Sequence, residues 1–455
     1  MKKKLMSAIL AAALGLSLLA GCGQEKTEEP KANEEKQMVL GSVRDMIPGE
    51  GDCFYVNLSA HVWEPLVVNN NHTLEPCLAE SWEYNKKGPL TSTYTSLSID
   101  KSFPNLTGME KVDDYTVKFT FSEPITTLDA LLGDYGSPMI SPNCFDPETG
   151  EITSTVIGTG RYIIDEHVQD QYATFKRNDN YWGENPGKLA SYRVNCIPDS
   201  EARYSALVSG EIMGLMDNGA IMVDTAVNLT ESDDNFVIEP TKSHMTHYMY
   251  VNGSKEYLGD VRLRQAISYA IDRDLLNETL YAGLCYPAYS ALSNQTPLYK
   301  DIQGTYDLEK AKELANEVLQ GKRLETTMIL GQRVVDGYPC KAMAEYIQSA
   351  LAEIGIDMKI EIVDNAVNTE RLKSGDYDFC LTVTGLNSAD PYATLYSWMD
   401  SEGSYVTQYH WNYSNEEVDQ LLDQVLNEKD PEKRAEIYGR LQEISAEELP
   451  VIPLL

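Results

Sequence analysis

Between residues 326 and 384 the hydrophobic pattern switches repeatedly between strand and helix periods, and no other feature limits the fold so tightly. Thr326–Leu330 is an apolar run of strand length. Ala342–Ile354 carries apolar residues at helical spacing, and Gly355 follows where a left-handed residue can stop the helix. Ile356, Met358, Ile360 and Ile362 then alternate along a strand that runs to Val363. A short helix around Thr369–Lys373 leads into a third strand, Tyr377–Thr384. Strand, helix, strand, helix, strand predicts parallel βαβ units, because parallel neighbours need a crossover long enough to hold a helix. Open α/β sheets bind ligands beyond the carboxyl ends of their strands. Two charged residues fall there, Arg333 after the first strand and Asp390 after the third.

The flanking regions read less cleanly. Residues 39–250 are mixed strand and turn, with a turn and alternating strand over Val112–Phe121 and a loop around Trp182 marked by Asp179, Asn180, Gly183, Asn185, Pro186 and Gly187. Val194–Ile197 is a short strand, and Glu201–Ser209 has helical spacing up to Gly210. Asp260 caps a helix through Ala270, and Asp307 caps one whose stripe is Leu308, Ala311, Leu314, Ala315, Val318 and Leu319, stopped at Gly321. Two helices close the chain: Ser414 and Glu417 form a capping box for one, and Asp430-Pro431 starts the other.

The amino terminus reads as an address. Lys2, Lys3 and Lys4 precede the apolar run Leu5–Ala20, too short to span a bilayer comfortably but typical of a secretory leader. It ends in Leu19-Ala20-Gly21-Cys22, which resembles a bacterial lipobox and makes Cys22 the lipidated first residue after removal of 1–21. Residues 22–38 are a polar tether rich in Glu and Lys. The expected location is the outer face of the cell membrane, held by lipid (the periplasmic side if the organism has two membranes). Seven cysteines remain after Cys22, at irregular spacing and without a CxxC pair, so neither a disulfide framework nor a zinc site is legible; most read as small buried residues.

Charge then excludes partners. The chain carries 37 Lys+Arg against 70 Asp+Glu, a net charge of −33. Loss of the leader removes three lysines and no acid, taking that to −36. Nucleic acid and anionic lipid surfaces need clustered basic residues, so neither is expected to bind.

Several motifs, in order, resemble one family. They are Glu75-Pro76-Cys77-Leu78-Ala79-Glu80-Ser81-Trp82-Glu83, Gly158-Thr159-Gly160-Arg161-Tyr162, Asn178-Asp179-Asn180-Tyr181-Trp182-Gly183, Asp260-Val261-Arg262-Leu263-Arg264-Gln265-Ala266 and Ala270-Ile271-Asp272-Arg273. Tyr306–Ala311, Ile354-Gly355-Ile356, Asp390-Pro391 and Asp430–Tyr438 follow. Together they are similar to the extracellular solute-binding protein family 5, the peptide- and nickel-binding receptors of ABC importers. The resemblance implies an α/β, two-lobed periplasmic-binding-protein-like fold (type II, large peptide-binding class) with a hinge and an interlobe ligand cleft. It places lobe 1 at 39–250, with 447–455 returning to it, and lobe 2 at 251–446. The implied function is capture of oligopeptides or dipeptides for delivery to permease subunits, by a monomer without a cofactor. By resemblance, Asp390 holds the peptide α-ammonium and Arg333 its carboxylate, and the pairing of each buried charge is physically reasonable. Tyr392, Trp398 and Tyr405 either line side-chain pockets or are ordinary core and rim aromatics. Three departures stand out: a shortened stretch after Glu83, an end at Pro450–Leu455 where members usually continue, and Arg161 where Gly-Pro is frequent.

Other readings have fewer residues behind them. A nickel or metallophore receptor of the same family would leave a chelated metal without a protein motif. His244 and His247 are the one close histidine pair, and in a strand residues three apart face opposite sides. A receptor for signalling peptides would have the same site. For an enzyme, no GxSxG, HExxH or GxxxxGK[ST] motif is present.

Overall fold

The computed structural model describes residues 37–47, 61–70, 73–81, 106–122, 138–149, 155–217, 219–238, 243–385 and 390–455, with the single positions 128, 132 and 153. The expected leader, Cys22 and almost all of the tether lie outside them.

Two five-stranded sheets organise the body. The first is built from β1 (Met38–Ser42), β2 (Tyr162–Val168), β3 (Tyr172–Arg177), β4 (Ser191–Cys196) and β5 (Gly214–Leu215), in the order β5-β1-β4-β3-β2. β1 runs parallel to β4 and β5, while β3 pairs antiparallel with β4 and β2. The register sets Tyr192 opposite Phe175, and their rings stack with centroids 4.7 Å apart at the centre of a small core with Trp63, Cys144 and Val194. Helix α1 (Ser200–Ser209) follows β4; Asp199 caps it and Gly210, at φ 76°, ends it, and α2 (Val223–Ser232) comes after β5. The expected turn at Val112 also forms, joining Leu106–Lys111 to Val117–Phe121 in a two-stranded hairpin.

The second sheet contains the predicted βαβ run. Its strands are β6 (Met245–Val251), β7 (Leu324–Gly331), β8 (Ile356–Val363), β9 (Phe379–Gly385) and β10 (Val451–Pro453), ordered β8-β7-β9-β6-β10. β7 is parallel to both β8 and β9. Along β8, Ile356 and Met358 are buried whereas Asp357, Lys359 and Glu361 face solvent, as the alternation requires of an edge strand. β6 lies between β9 and β10 and is buried on both faces: Met249 and Val251 enter one apolar core, Tyr248 and Tyr250 the other. The first core is closed by α3 (Val261–Ala270), α4 (Arg273–Tyr281), α5 (Leu308–Leu319) and α7 (Cys340–Glu353). Between β7 and α7 lies the one-and-a-half-turn α6 (Gln332–Gly337), and α8 (Asn365–Ser374) links β8 to β9. Across the other face lie α9 (Tyr392–Met399), α10 (Ser404–Gln408), α11 (Glu416–Asn427) and α12 (Pro431–Glu448).

Two expectations shift. Asn415, not Ser414, caps α11: its side chain accepts from the amides of Glu417 and Val418, while Glu417 reaches across to Arg440. The boundary expected at 250/251 falls inside β6. The 447–455 segment enters the second sheet, because β10 pairs with β6 through Tyr250↔Val451 and buries Ile452 and Leu454 in the first of its cores.

Candidate functional site

The carboxyl ends of β7, β8 and β9 lie along one edge, since Gly331 pairs with Val363 and Ile329 with Cys380. β7 and β8 each hand their chain to a helix there, α6 and α8. Gly331 admits no side chain comfortably, as a Cβ would sit 3.0 Å from Asn365 Oδ1. That same oxygen accepts from the Arg333 amide at 3.1 Å, fastening α6 to the start of α8. Arg333 is thereby held at the edge with its side chain exposed, and its charge acts on Tyr338, whose phenol is pushed up by burial and drawn back by the guanidinium.

The carboxyl end of α6 meets the loop that follows β5 of the first sheet. A Cβ on Gly219 (φ 68°) would lie 2.7 Å from the Gly337 carbonyl, so the two backbones touch with no side chain between them. Two residues earlier, Asp217 Oδ2 accepts from the Val43 amide at 2.7 Å, binding this loop to the end of β1. Thus the loop after β5 and helix α6 form a seam between the sheets, with Arg333 on the helix.

Asp390 is placed differently. Its Oδ1 accepts from the Tyr392 amide at 2.9 Å and from the Tyr438 hydroxyl at 2.5 Å; its Oδ2 accepts from Arg434 Nη2 at 2.6 Å. Arg434 also donates to the Val425 carbonyl at 2.6 Å. The two charged side chains are only 15% and 13% exposed. Burial and the adjacent carboxylate push the Tyr438 phenol well up, so it stays a donor. Asp390 therefore starts α9 and pins it to α12.

The aromatic candidates share this face of the second sheet. Trp398 and Tyr392 are buried, and Trp398 meets Tyr248 edge-on at 4.7 Å. Tyr405 is half-buried and packs edge-on against Tyr250 at 5.8 Å and Tyr409 at 4.9 Å. Asp390, Tyr392, Trp398 and Tyr405 thus come together in or against one core, and Arg333 stands apart on α6. Tyr392 and Trp398 are among the buried residues of this core, and Tyr405 packs against it. Arg434 escaped the sequence reading although a signal existed: Arg434 and Tyr438 are four apart on a helix, the spacing that puts two side chains on one face.

His247 is enclosed in the apolar layer, with the Tyr281 hydroxyl 2.6 Å from its Nε2. Burial holds it down at about 4, and the chain around it offers no cluster for a metal: among the described residues no group of three His, Cys, Asp or Glu side chains is so arranged. Cys77, Cys144, Cys196, Cys285, Cys340 and Cys380 are free thiols. No helix among the described residues is long and apolar enough to cross a membrane.

Comparison with known proteins decides the family. A family model described as bacterial extracellular solute-binding proteins, family 5 (middle), matches residues 73–405. The chain belongs to the extracellular solute-binding proteins, family 5. The glutathione-binding protein GsiB of Escherichia coli K12 is 26% identical over 360 residues, which are 78% of this chain and 69% of that protein. Solved family structures share the two-lobed fold. DppA of Helicobacter pylori, in complex with the peptide STSA, matches with TM-score 0.74 at 23% identity, covering 92% of this chain and 91% of that one. NikA of Brucella suis, in complex with Fe(III)-EDTA, matches with TM-score 0.75 at 21% identity, covering 92% and 93%. Family 5 members are solute receptors of the periplasm or cell exterior, not enzymes, and this chain is one of them.

Proposed function

We propose that this receptor captures short peptides outside the membrane and delivers them to the permease subunits of an ABC importer. The observation that carries the reading is the likeness over 92% of the chain to an ABC transporter-associated periplasmic binding protein solved in complex with a peptide. In this reading lobe 1 is centred on the first sheet and lobe 2 on the second, the ligand lies at the seam between them, and Arg333 holds its carboxylate. Main-chain pairing gives affinity that does not read side chains. Cys22 carries the lipid anchor, and the receptor works as a monomer.

Mass spectrometry of small molecules co-purifying with the folded body is the direct test, since a receptor that closes on cargo retains it. Short peptides are expected in the released fraction and to raise Tm; no peptide found and no shift across a diverse library would sink the reading. Arg333→Ala is expected to weaken binding about tenfold, read by calorimetry, because a charge-assisted hydrogen bond is lost. A second reading, a chelated metal as cargo, is favoured by the likeness to NikA solved with Fe(III)-EDTA, and predicts stabilisation by the metal chelate but not by peptides.

A further inference from the structure

We propose that Asn365, a residue of α8, is the N-cap of the neighbouring helix α6 and thereby the positioning residue for Arg333. The consequence for ligand rests on the peptide reading above. A helix begins with amides that find no partner within it, and a side-chain oxygen just ahead of the first turn normally takes one. In α6 that place belongs to Gly331, which has no side chain to offer, and the helix is only six residues long. Its acceptor comes from elsewhere in the fold. Parallel pairing sets Gly331 beside Val363, so α6 and α8 start next to each other at one edge. Asp364 caps α8 itself, its Oδ1 accepting from the Ala366 amide at 2.9 Å. That leaves the Asn365 side chain for the other helix, and its Oδ1 accepts from the Arg333 amide at 3.1 Å. The main chain of Asn365 is held in turn, because its carbonyl accepts from Thr369 Oγ1 at 3.0 Å. Glycine at 331 belongs to the arrangement: a Cβ there would lie 3.0 Å from the same Oδ1 and crowd the acceptor.

So short a helix is not stable by itself. Val334 and Val335 pack against the core and Gly337 meets Gly219, which holds the later part of α6. Asn365 holds the residue that carries the guanidinium. Without the cap the first turn frays, Arg333 samples many directions, and a charge-assisted hydrogen bond that needs one of them weakens.

The test pairs hydrogen exchange in the ligand-free protein with calorimetry on tetra-alanine carrying a free or an amidated carboxyl end. Asn365→Ala is expected to speed exchange of the Arg333 amide about fivefold, the weight of one helix cap, and Asn365→Asp to keep the wild-type rate. Unchanged exchange in Asn365→Ala overturns the cap, whether or not a peptide binds. The wild type is expected to favour the free carboxyl end about tenfold and Asn365→Ala only about twofold. Arg333→Ala combined with Asn365→Ala should lose no more than Arg333→Ala alone. An unchanged preference in Asn365→Ala, or additive losses, overturns the positioning role. If the wild type binds neither form, the peptide reading fails and takes the ligand role with it, and the cap is judged by exchange alone.

Discussion

Arg273 is 1% exposed, yet it hydrogen-bonds main-chain carbonyls rather than a carboxylate. It donates to the carbonyls of Pro453 (2.7 Å), Ala288 (2.9 Å) and Ser268 (3.0 Å), stitching α4 to β10. Arg264 does the same with Glu448 and Leu449, and Arg203 with Ala220, Ile197 and Pro198. Each guanidinium satisfies acceptors that helix ends and strand crossings would otherwise leave bare. Burial depresses Arg273 to about 10, still charged near neutral pH. Arg273→Met should therefore lower stability by about 3 kcal/mol or more, read as a fall in the urea midpoint, because several buried carbonyls lose their donor at once. His247 gives a second prediction at this scale. Its folded pKa, about 4, lies below the 6.5 of an ordinary histidine. Between those values the unfolded chain binds the extra proton, so the contribution is present above pH 6.5 and is lost as pH falls towards 4. The shift corresponds to about 3 kcal/mol. His247→Gln should flatten the pH dependence of the urea midpoint over that window relative to wild type, and an unchanged slope would refute the assignment.

Among the elements, those whose signals are local formed as the sequence predicts. Asp260, Asp307 and Asp430 each cap the helix they precede, and Gly355, at φ 86°, turns the chain from α7 into β8. The cap of α11 moved one residue because Ser414 and Asn415 are both competent caps and packing chose between them. Helix α6 was not anticipated: only six residues long, it depends on contacts with Asn365 and with the Gly219 loop. Gly219→Ala tests that dependence. It forces a side chain into a left-handed position and into the Gly337 carbonyl, so stability should drop by about 1–2 kcal/mol. Because α6 carries Arg333, ligand affinity should fall further than Tm alone explains; a variant with lowered Tm and unchanged Kd would show that the seam does not position the arginine.

For the whole molecule, the full chain's net charge of −33 bears on the seam proposed to take the ligand, where Arg333 is exposed. Acidic peptides should bind more weakly than basic ones of equal length at low salt. The gap should close as ionic strength rises from about 0.01 to 0.15 M, where the screening length shrinks from roughly 30 to 8 Å. A gap indifferent to salt would mean that local contacts, not the field of the molecule, set the preference. Family and fold were legible from the chain because they rest on ordered motifs and on periods of 2 and about 3.6 residues, which are properties of neighbours in sequence. The parallel β7, β8 and β9 could be read for that reason, as could the helices that join them. What lay beyond reach were the partners of charged side chains. Asp390 meets Arg434 forty-four positions away, and β10 meets β6 across some two hundred, and no local pattern encodes such pairings. The sequence by itself placed Asp390 after the third parallel strand; only the tertiary structure, by bringing α12 against α9, decided that its carboxylate pairs with Arg434.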